Sequence, residues 1–270
     1  MERDKLTDRS GIITSTTNEH VKYVRSLYRR QVRYGEHVFV VEGLRSLEEA
    51  FKAGVQAVFL FHTRAMLESE RACALLSQAE ERGVTRKLVS ESVMSAMADT
   101  VSPSGILAVL RMPEQRMPAA LDWALILDKV RDPGNLGTIM RSALAAGVEW
   151  IITTTGTVDV YSPKVVRAGM GAHFRLRLWP DQPWSKVRGV LTGLQVLVAS
   201  PQGASPYWEV DWRKPTALVI GGEAEGVSPE AAQIATAQVA IPMRSGVESL
   251  NAAVAAGVLL FEAARQRALR

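Results

Sequence analysis

The chain has 270 residues, 47% of them hydrophobic and 22% charged, a balance that suits one or two packed cores and excludes a disordered chain. Its formal net charge of +4 permits a polyanionic partner without demanding one, and its apolar runs are broken by charge well short of a membrane span. A single cysteine, Cys73, excludes an intrachain disulfide and a thiolate zinc cluster; no metal is expected, and an opening Met1-Glu2-Arg3-Asp4-Lys5 without a signal-peptide core reads as cytoplasmic.

In chain order, periodicity predicts a helix over 18–33, a strand over 37–41, a helix from about Leu44 and an apolar strand over 55–61. A helix over 66–82 follows, with Cys73 as a buried structural thiol on one face, then a short strand over 87–89, a brief helix from Ser90 and a strand over 105–110. Residues 111–118 combine prolines and charges with no periodicity and read as a linker. The boundary is placed there, giving a small α/β domain over 1–113, a linker to about 120, and a second domain over 121–270. In the second domain, strands are expected over 124–127, 150–153, 195–199, 217–220 and 239–241. They are apolar throughout rather than alternating, as parallel strands covered on both faces are. Ser228-Pro229 marks a helix start, and the alanine-rich last helix, over 249–265, is expected to pack closely through Val254, Val258 and Phe261.

Three polar loops follow strand ends in this second half. The first is Asp128-Lys129-Val130-Arg131-Asp132-Pro133-Gly134-Asn135-Leu136-Gly137, with Arg141 six residues beyond Asn135. Ligand crevices in parallel α/β sheets lie outside the carboxyl ends of the strands, where this loop falls; the plain alternative is that Asn135 only caps the helix. The second is Gly221-Gly222-Glu223-Ala224-Glu225-Gly226, whose spacing does not match the dinucleotide fingerprint, which disfavours a nucleotide-dependent oxidoreductase. Its two carboxylates disfavour phosphate and suit a ligand with ribose hydroxyls or positive charge, such as S-adenosylmethionine. The third is Ile241-Pro242-Met243-Arg244-Ser245-Gly246-Val247-Glu248-Ser249-Leu250-Asn251.

Taken in order and spacing, these segments resemble the three motifs of the SpoU-TrmH family of SPOUT-class RNA methyltransferases. The run Tyr161-Ser162-Pro163-Lys164 through Gly171 resembles the stretch between motifs in that family. The first domain is more loosely similar to that family's substrate-binding domain, itself similar to a small RNA-binding ribosomal protein fold. The matching runs are Asn18-Glu19-His20-Val21-Lys22, Phe39-Val40-Val41-Glu42-Gly43 and Pro103-Ser104-Gly105-Ile106-Leu107-Ala108.

The resemblance implies a parallel sheet with a trefoil knot, S-adenosylmethionine as cofactor, methylation of a ribose 2′-hydroxyl and a homodimer. Backbone around Gly221, Gly222, Ile241, Met243 and Leu250 would cradle the cofactor. In that family the arginine of the first motif is implicated in activating the hydroxyl, which would be Arg141. Because a guanidinium does not readily lose its proton, Arg141 is expected instead to grip a substrate phosphate while a phosphate oxygen or water takes the proton. Asn135 would orient Arg141, Glu223 would hold the arginine or the cofactor, and Ser249 and Asn251 would position the hydroxyl. Lys22, Arg25, Arg29 and Arg33 follow steps of three and four, with Arg30 beside them, and would meet RNA phosphates along one helix face. Tyr23, Tyr28 and Tyr34 would either stack on bases or pack inward. Large-subunit ribosomal RNA is the expected substrate, with transfer RNA and a non-catalytic RNA-binding or ribosome-assembly role as the alternatives.

Overall fold

A computed structural model describes residues 11–118, 120–223, 226–244 and 246–268. The chain divides into two compact units, Met1–Pro113 with Tyr161–Pro163, and Glu114–Val160 with Lys164–Arg270.

The first unit runs α1 (Glu19–Ser26), α2 (Arg30–Glu36), β1 (Val38–Glu42), α3 (Leu44–Lys52), β2 (Ala57–His62), a 3₁₀ turn, α4 (Glu70–Glu81), β3 (Thr85–Leu88), α5 (Glu91–Met97) and β4 (Ile106–Arg111). Its sheet has the order β1-β4-β2-β3, with β4 antiparallel to both neighbours. Strand residues alternate between faces, so Val38, Val40, Phe61, Leu107 and Val109 share one core with Val21 and Val24 of α1, Leu27 just beyond it, and Val93, Met94 and Met97 of α5. Helices α3 and α4 pack on the unit's other elements: α3 lies against β1, β4 and α4.

The helix expected over 18–33 is two helices. Asn18 caps the first, accepting from the His20 N–H at 2.9 Å, and the chain leaves it at Leu27 before Arg29 adopts an extended conformation. Arg33 then folds back and its Nη1 donates to the Leu27 carbonyl at 2.6 Å, filling an acceptor left open where α1 ends. The longer helix expected over 66–82 is likewise a 3₁₀ turn, Arg64–Glu68, followed by α4, because Ser69 is extended and caps the new helix through the Ala72 N–H. Cys73 is half-buried rather than buried, its Sγ donating to the Leu67 carbonyl.

The second unit runs β5 (Trp123–Asp128), α6 (Pro133–Ala145), β6 (Trp150–Thr154), α7 (Pro163–Ala168), β7 (Arg177–Gln182), α8 (Trp184–Val190), β8 (Gln195–Ala199), β9 (Ser205–Pro206), β10 (Thr216–Gly221), α9 (Pro229–Ile234), β11 (Ala237–Ala240) and α10 (Ala252–Arg267). Its sheet is parallel throughout, in the order β7-β6-β5-β10-β8-β11-β9. One face, with Ile126, Ile152, Val198 and Val219, packs under Trp184 and Val187 of α8 and Ala231 of α9. The opposite face lies towards α6 and α10, which pack on each other. The two strands that periodicity does not predict, β7 and β9, are the sheet's edges. Each carries a proline, Pro180 and Pro206, which lacks a ladder donor and breaks the apolar run.

The linker is pinned at Gln115, whose Nε2 donates to the Leu176 carbonyl at 3.2 Å while its Oε1 accepts from the Leu178 N–H at the β7 edge. In α10 the buried residues are Ala253, Ala256, Leu259, Leu260 and Ala263. Val254 and Phe261, expected to pack, are each 53% exposed, because 3.6 residues per turn place them across the helix from that buried stripe. Among the described residues no helix is long and apolar enough to cross a membrane.

Candidate active site

Because the strands of the second unit run parallel, their carboxyl ends gather along one edge, and the loops that leave β5, β8, β10 and β11 meet there. The ladder pairs Leu127 with Ile220 and Asp128 with Gly221, so the first and second polar loops emerge side by side. Lys129 turns the first loop with φ +58, its N–H directed at Thr154 Oγ1 (3.2 Å) and Thr157 Oγ1 (3.0 Å). Helix α6 is capped by Asp132, whose Oδ1 accepts from the Asn135 N–H at 2.7 Å, and Pro133 occupies the first helical position. Capping is therefore not the task of Asn135, and its side chain turns to the neighbouring loops.

Asn135 Nδ2 donates to Glu223 Oε1 at 2.8 Å, and Asn251 Nδ2 donates to Asn135 Oδ1 at 3.0 Å. Asn251 Oδ1 in turn accepts from the N–H groups of Ala253 (2.9 Å) and Val254 (3.3 Å), which caps α10. Each of the three polar loops thus contributes one side chain to a single directed chain of hydrogen bonds. Its polarity is fixed at both ends. An ionised carboxylate only accepts, so Asn135 must present its amide hydrogens to Glu223 and its oxygen to Asn251. Burial alone would raise the Glu223 carboxyl, but hydrogen bonds from the Asn135 side chain and from backbone N–H groups, including that of Arg131, hold it below the usual carboxylate range. Glu225, the second carboxylate of the loop, lies outside the described residues.

Beside this chain opens a cavity of about 550 Å³, within the size range of small-molecule sites. Gly221, Gly222, Glu223, Ile241, Met243, Ser249, Leu250 and Asn251 all line it. Two of its walls are bare backbone. A Cβ on Gly221 would stand 2.3 Å from the Gly226 carbonyl carbon, and one on Gly222 would stand 2.4 Å from the Lys129 oxygen. Only glycine lets these backbone segments approach so closely. The remaining lining is apolar at Ile220, Val239 and Leu259 and anionic at Glu223 and Glu248, with no cationic side chain among the described lining residues. That combination fits S-adenosylmethionine, which carries an adenosine, a sulfonium and an ammonium, and does not fit a polyphosphate.

Arg141 is exposed on α6 and does not line the cavity. Six residues beyond Asn135, it lies about 120° around a helix of 3.6 residues per turn. In the first unit Lys22, Arg25, Arg29 and Arg30 are exposed, but Arg33 is 3% exposed and occupied with the Leu27 carbonyl, so it does not belong to the basic surface expected of it. The tyrosines are also engaged within the protein. Tyr23 packs edge-on against Phe59 and reaches Glu36, Tyr28 donates to the Met97 carbonyl, and the Arg30 guanidinium sits 5.2 Å over the Tyr34 ring.

Three contributors escape a motif reading: Asp132 as the true cap of α6, and Ser200 and Gln202, which line the cavity from the loop after β8. The last two follow a strand end, the signal that marked the other three loops.

A model described as the SpoU rRNA methylase family matches residues 122–261, and one described as an MRM3-like substrate-binding domain matches residues 18–108. An uncharacterized tRNA/rRNA methyltransferase of Synechocystis is 37% identical over 97% of this chain and 96% of its own length. The 23S rRNA (guanosine(2553)-2′-O)-methyltransferase RlmP of Bacillus subtilis is 32% identical over 92% of this chain and 97% of its own. Among solved structures, an AdoMet-bound rRNA methyltransferase from Sinorhizobium meliloti superposes with a TM-score of 0.82 at 32% identity, covering 94% of this chain and 97% of that one.

Proposed function

The chain belongs to the SpoU rRNA methylase family, and on that premise we propose that it transfers a methyl group from S-adenosylmethionine to a ribose 2′-hydroxyl of large-subunit ribosomal RNA. The observation that carries the reading is the chain Glu223–Asn135–Asn251 at the rim of a glycine-walled cavity. The similarity to the Bacillus subtilis enzyme, which extends through the first unit, supports ribosomal RNA over transfer RNA. When bound, S-adenosylmethionine supplies an electrophilic methyl carbon.

The protein's own residues have two tasks, to hold the ribose oxygen in line and to let its proton leave. Backbone at Gly221, Gly222, Ile241, Met243 and Leu250 forms the cofactor cradle. Asn251, fixed by Asn135 and by its own capping bonds, and Ser249 face the reacting hydroxyl. Arg141 grips a substrate phosphate with its fork of donors and orients the ribose. The guanidinium keeps its own proton, so a phosphate oxygen or water accepts the proton of the hydroxyl. Glu223 acts through Asn135 as a positioning residue.

In this reading residues 1–113 form the RNA-binding domain, presenting Lys22, Arg25, Arg29 and Arg30 to phosphates, and residues 121–270 form the catalytic domain, its loops at Gly221 and Ile241 belonging to a trefoil knot. The protein works in the cytoplasm. A second copy covers the exposed stripe of Val254, half-buried Val258 and Phe261 on α10. Light scattering should give twice the chain mass, and Phe261→Glu should give a monomer.

The direct test offers S-adenosylmethionine with a labelled methyl group to ribosomal RNA, transfer RNA and undermethylated ribosomal subunits. Label in ribosomal RNA is expected, and label confined to transfer RNA would overturn the substrate.

A further inference from the structure

In the cavity wall Gly221 packs on the Gly226 backbone and Gly222 on the Lys129 backbone, and the Gly226 N–H donates to the Gly222 carbonyl at 3.1 Å. That hydrogen bond joins the ends of the turn, and contacts outside the turn fix where each end sits on the sheet. One end, Gly221, is registered against Asp128 by the β10–β5 ladder. The other end leads to Ser228, whose N–H donates to Asp128 Oδ2 at 2.6 Å.

Asp128 is wholly buried, and its second oxygen, Oδ1, accepts from Thr154 Oγ1 at 2.8 Å and Trp184 Nε1 at 3.1 Å. None of these three donors is a cation. They come from the end of β6, the start of α8 and the entry to α9, and a carboxylate accepts from all of them at once. An amide cannot, because one of its two heads is a donor. We propose that Asp128 is a positioning residue of the cofactor site: by holding Ser228 beside the strand that carries Gly221, it sets the span of the Gly221–Gly226 wall and the placement of Glu223. The inference rests on reading the cavity as the S-adenosylmethionine site.

The geometry dictates an experiment that a merely structural carboxylate would not satisfy. In Asp128→Asn the new amide nitrogen must oppose either the Ser228 N–H or, if the amide flips, the Trp184 N–H. Trp184→Phe removes the second conflict, so in the double variant the amide turns its oxygen to Ser228 and donates to Thr154 Oγ1. Calorimetric titration with S-adenosylmethionine, alongside thermal melts, reads the result. Trp184→Phe alone should bind within about twofold of wild type, Asp128→Asn about tenfold or more weakly, and the double variant within about threefold of wild type, the non-additivity expected of groups sharing one network.

A double variant no better than Asp128→Asn, or an Asp128→Asn variant that binds like wild type, overturns the role. Should Asp128→Asn not melt cooperatively, the double variant decides alone, and a loss beyond about threefold overturns the role. Wild-type protein that does not bind S-adenosylmethionine sinks the reading of the cavity instead.

Discussion

The loops at the carboxyl edge of the second sheet and the helix pair α1–α2 of the first unit are both rich in polar side chains, and the fold uses them in opposite ways. At the sheet edge the backbone is served by Asp132, which caps α6, and by Asp128, which holds Ser228. Asn135 and Glu223 are thereby left at the mouth of a cavity, joined to each other and to Asn251. In the helix pair the break after Leu27 leaves a carbonyl that claims Arg33, and the end of α5 claims the Tyr28 hydroxyl. A polar residue is available to a ligand only after the backbone around it has been satisfied by something else.

Substitutions in the two regions therefore differ in kind. The largest effect belongs to Arg141→Ala, which should lower turnover at least about 100-fold while cofactor affinity, measured by calorimetry, stays within about twofold. An equal fall in both would remove Arg141 from the substrate side. Next is Asn135→Ala, which severs Glu223 from Asn251 and should cost about tenfold or more in kcat. Adding Asn251→Ala should then cost much less than it does in the wild type, since both act in one chain; additive losses would break the chain into unrelated contacts.

In the first unit Arg33→Ala should lower stability by about 1–3 kcal/mol, by orphaning a carbonyl, with no change in the salt dependence of RNA binding. Arg25→Ala should do the reverse, leaving the melt alone and reducing the slope of log affinity against log salt by about 0.7–0.9. If both arginines changed the slope equally, the contrast would fail.

The last effect appears only on acidification. His173 is fully buried beside Gly169, where a Cβ would stand 2.8 Å from the ring, and burial lowers its pKa to about 4 despite a hydrogen bond to the Val160 carbonyl and the nearby Asp159. The unfolded chain takes up that proton near pH 6.5 and the folded one does not until about pH 4, so stability should fall with pH across that window and flatten below it. A urea-midpoint series showing the same fall in His173→Gln would assign it elsewhere.

The parallel sheet and the three loops were legible because each signal is short. A run of apolar residues ending in glycine, proline and asparagine carries its own strand end, turn and helix start. The helix over 18–33 failed because a face argument needs unbroken phase over many residues, and the break at Leu27 to Arg29 has no glycine or proline to announce it. Phe261 shows a different limit: sequence periodicity identifies an apolar stripe but not whether it meets the chain's own core or something outside it, and here it is exposed. Asp128 was hidden because a carboxylate ending a strand looks like the start of a loop, and only the meeting of β6, α8 and α9 around it gives it a task.

The central claim is that the Glu223–Asn135–Asn251 rim orients a ribose hydroxyl, and it is tested most directly by finding where the methyl group lands. RNA methylated by the purified protein with labelled S-adenosylmethionine should be digested to nucleosides and resolved by mass spectrometry. The expected result is label in a single 2′-O-methylnucleoside, deposited about tenfold or more slowly with Asn135→Ala. Label on a base, or cofactor binding with no transfer to any RNA offered, would contradict it.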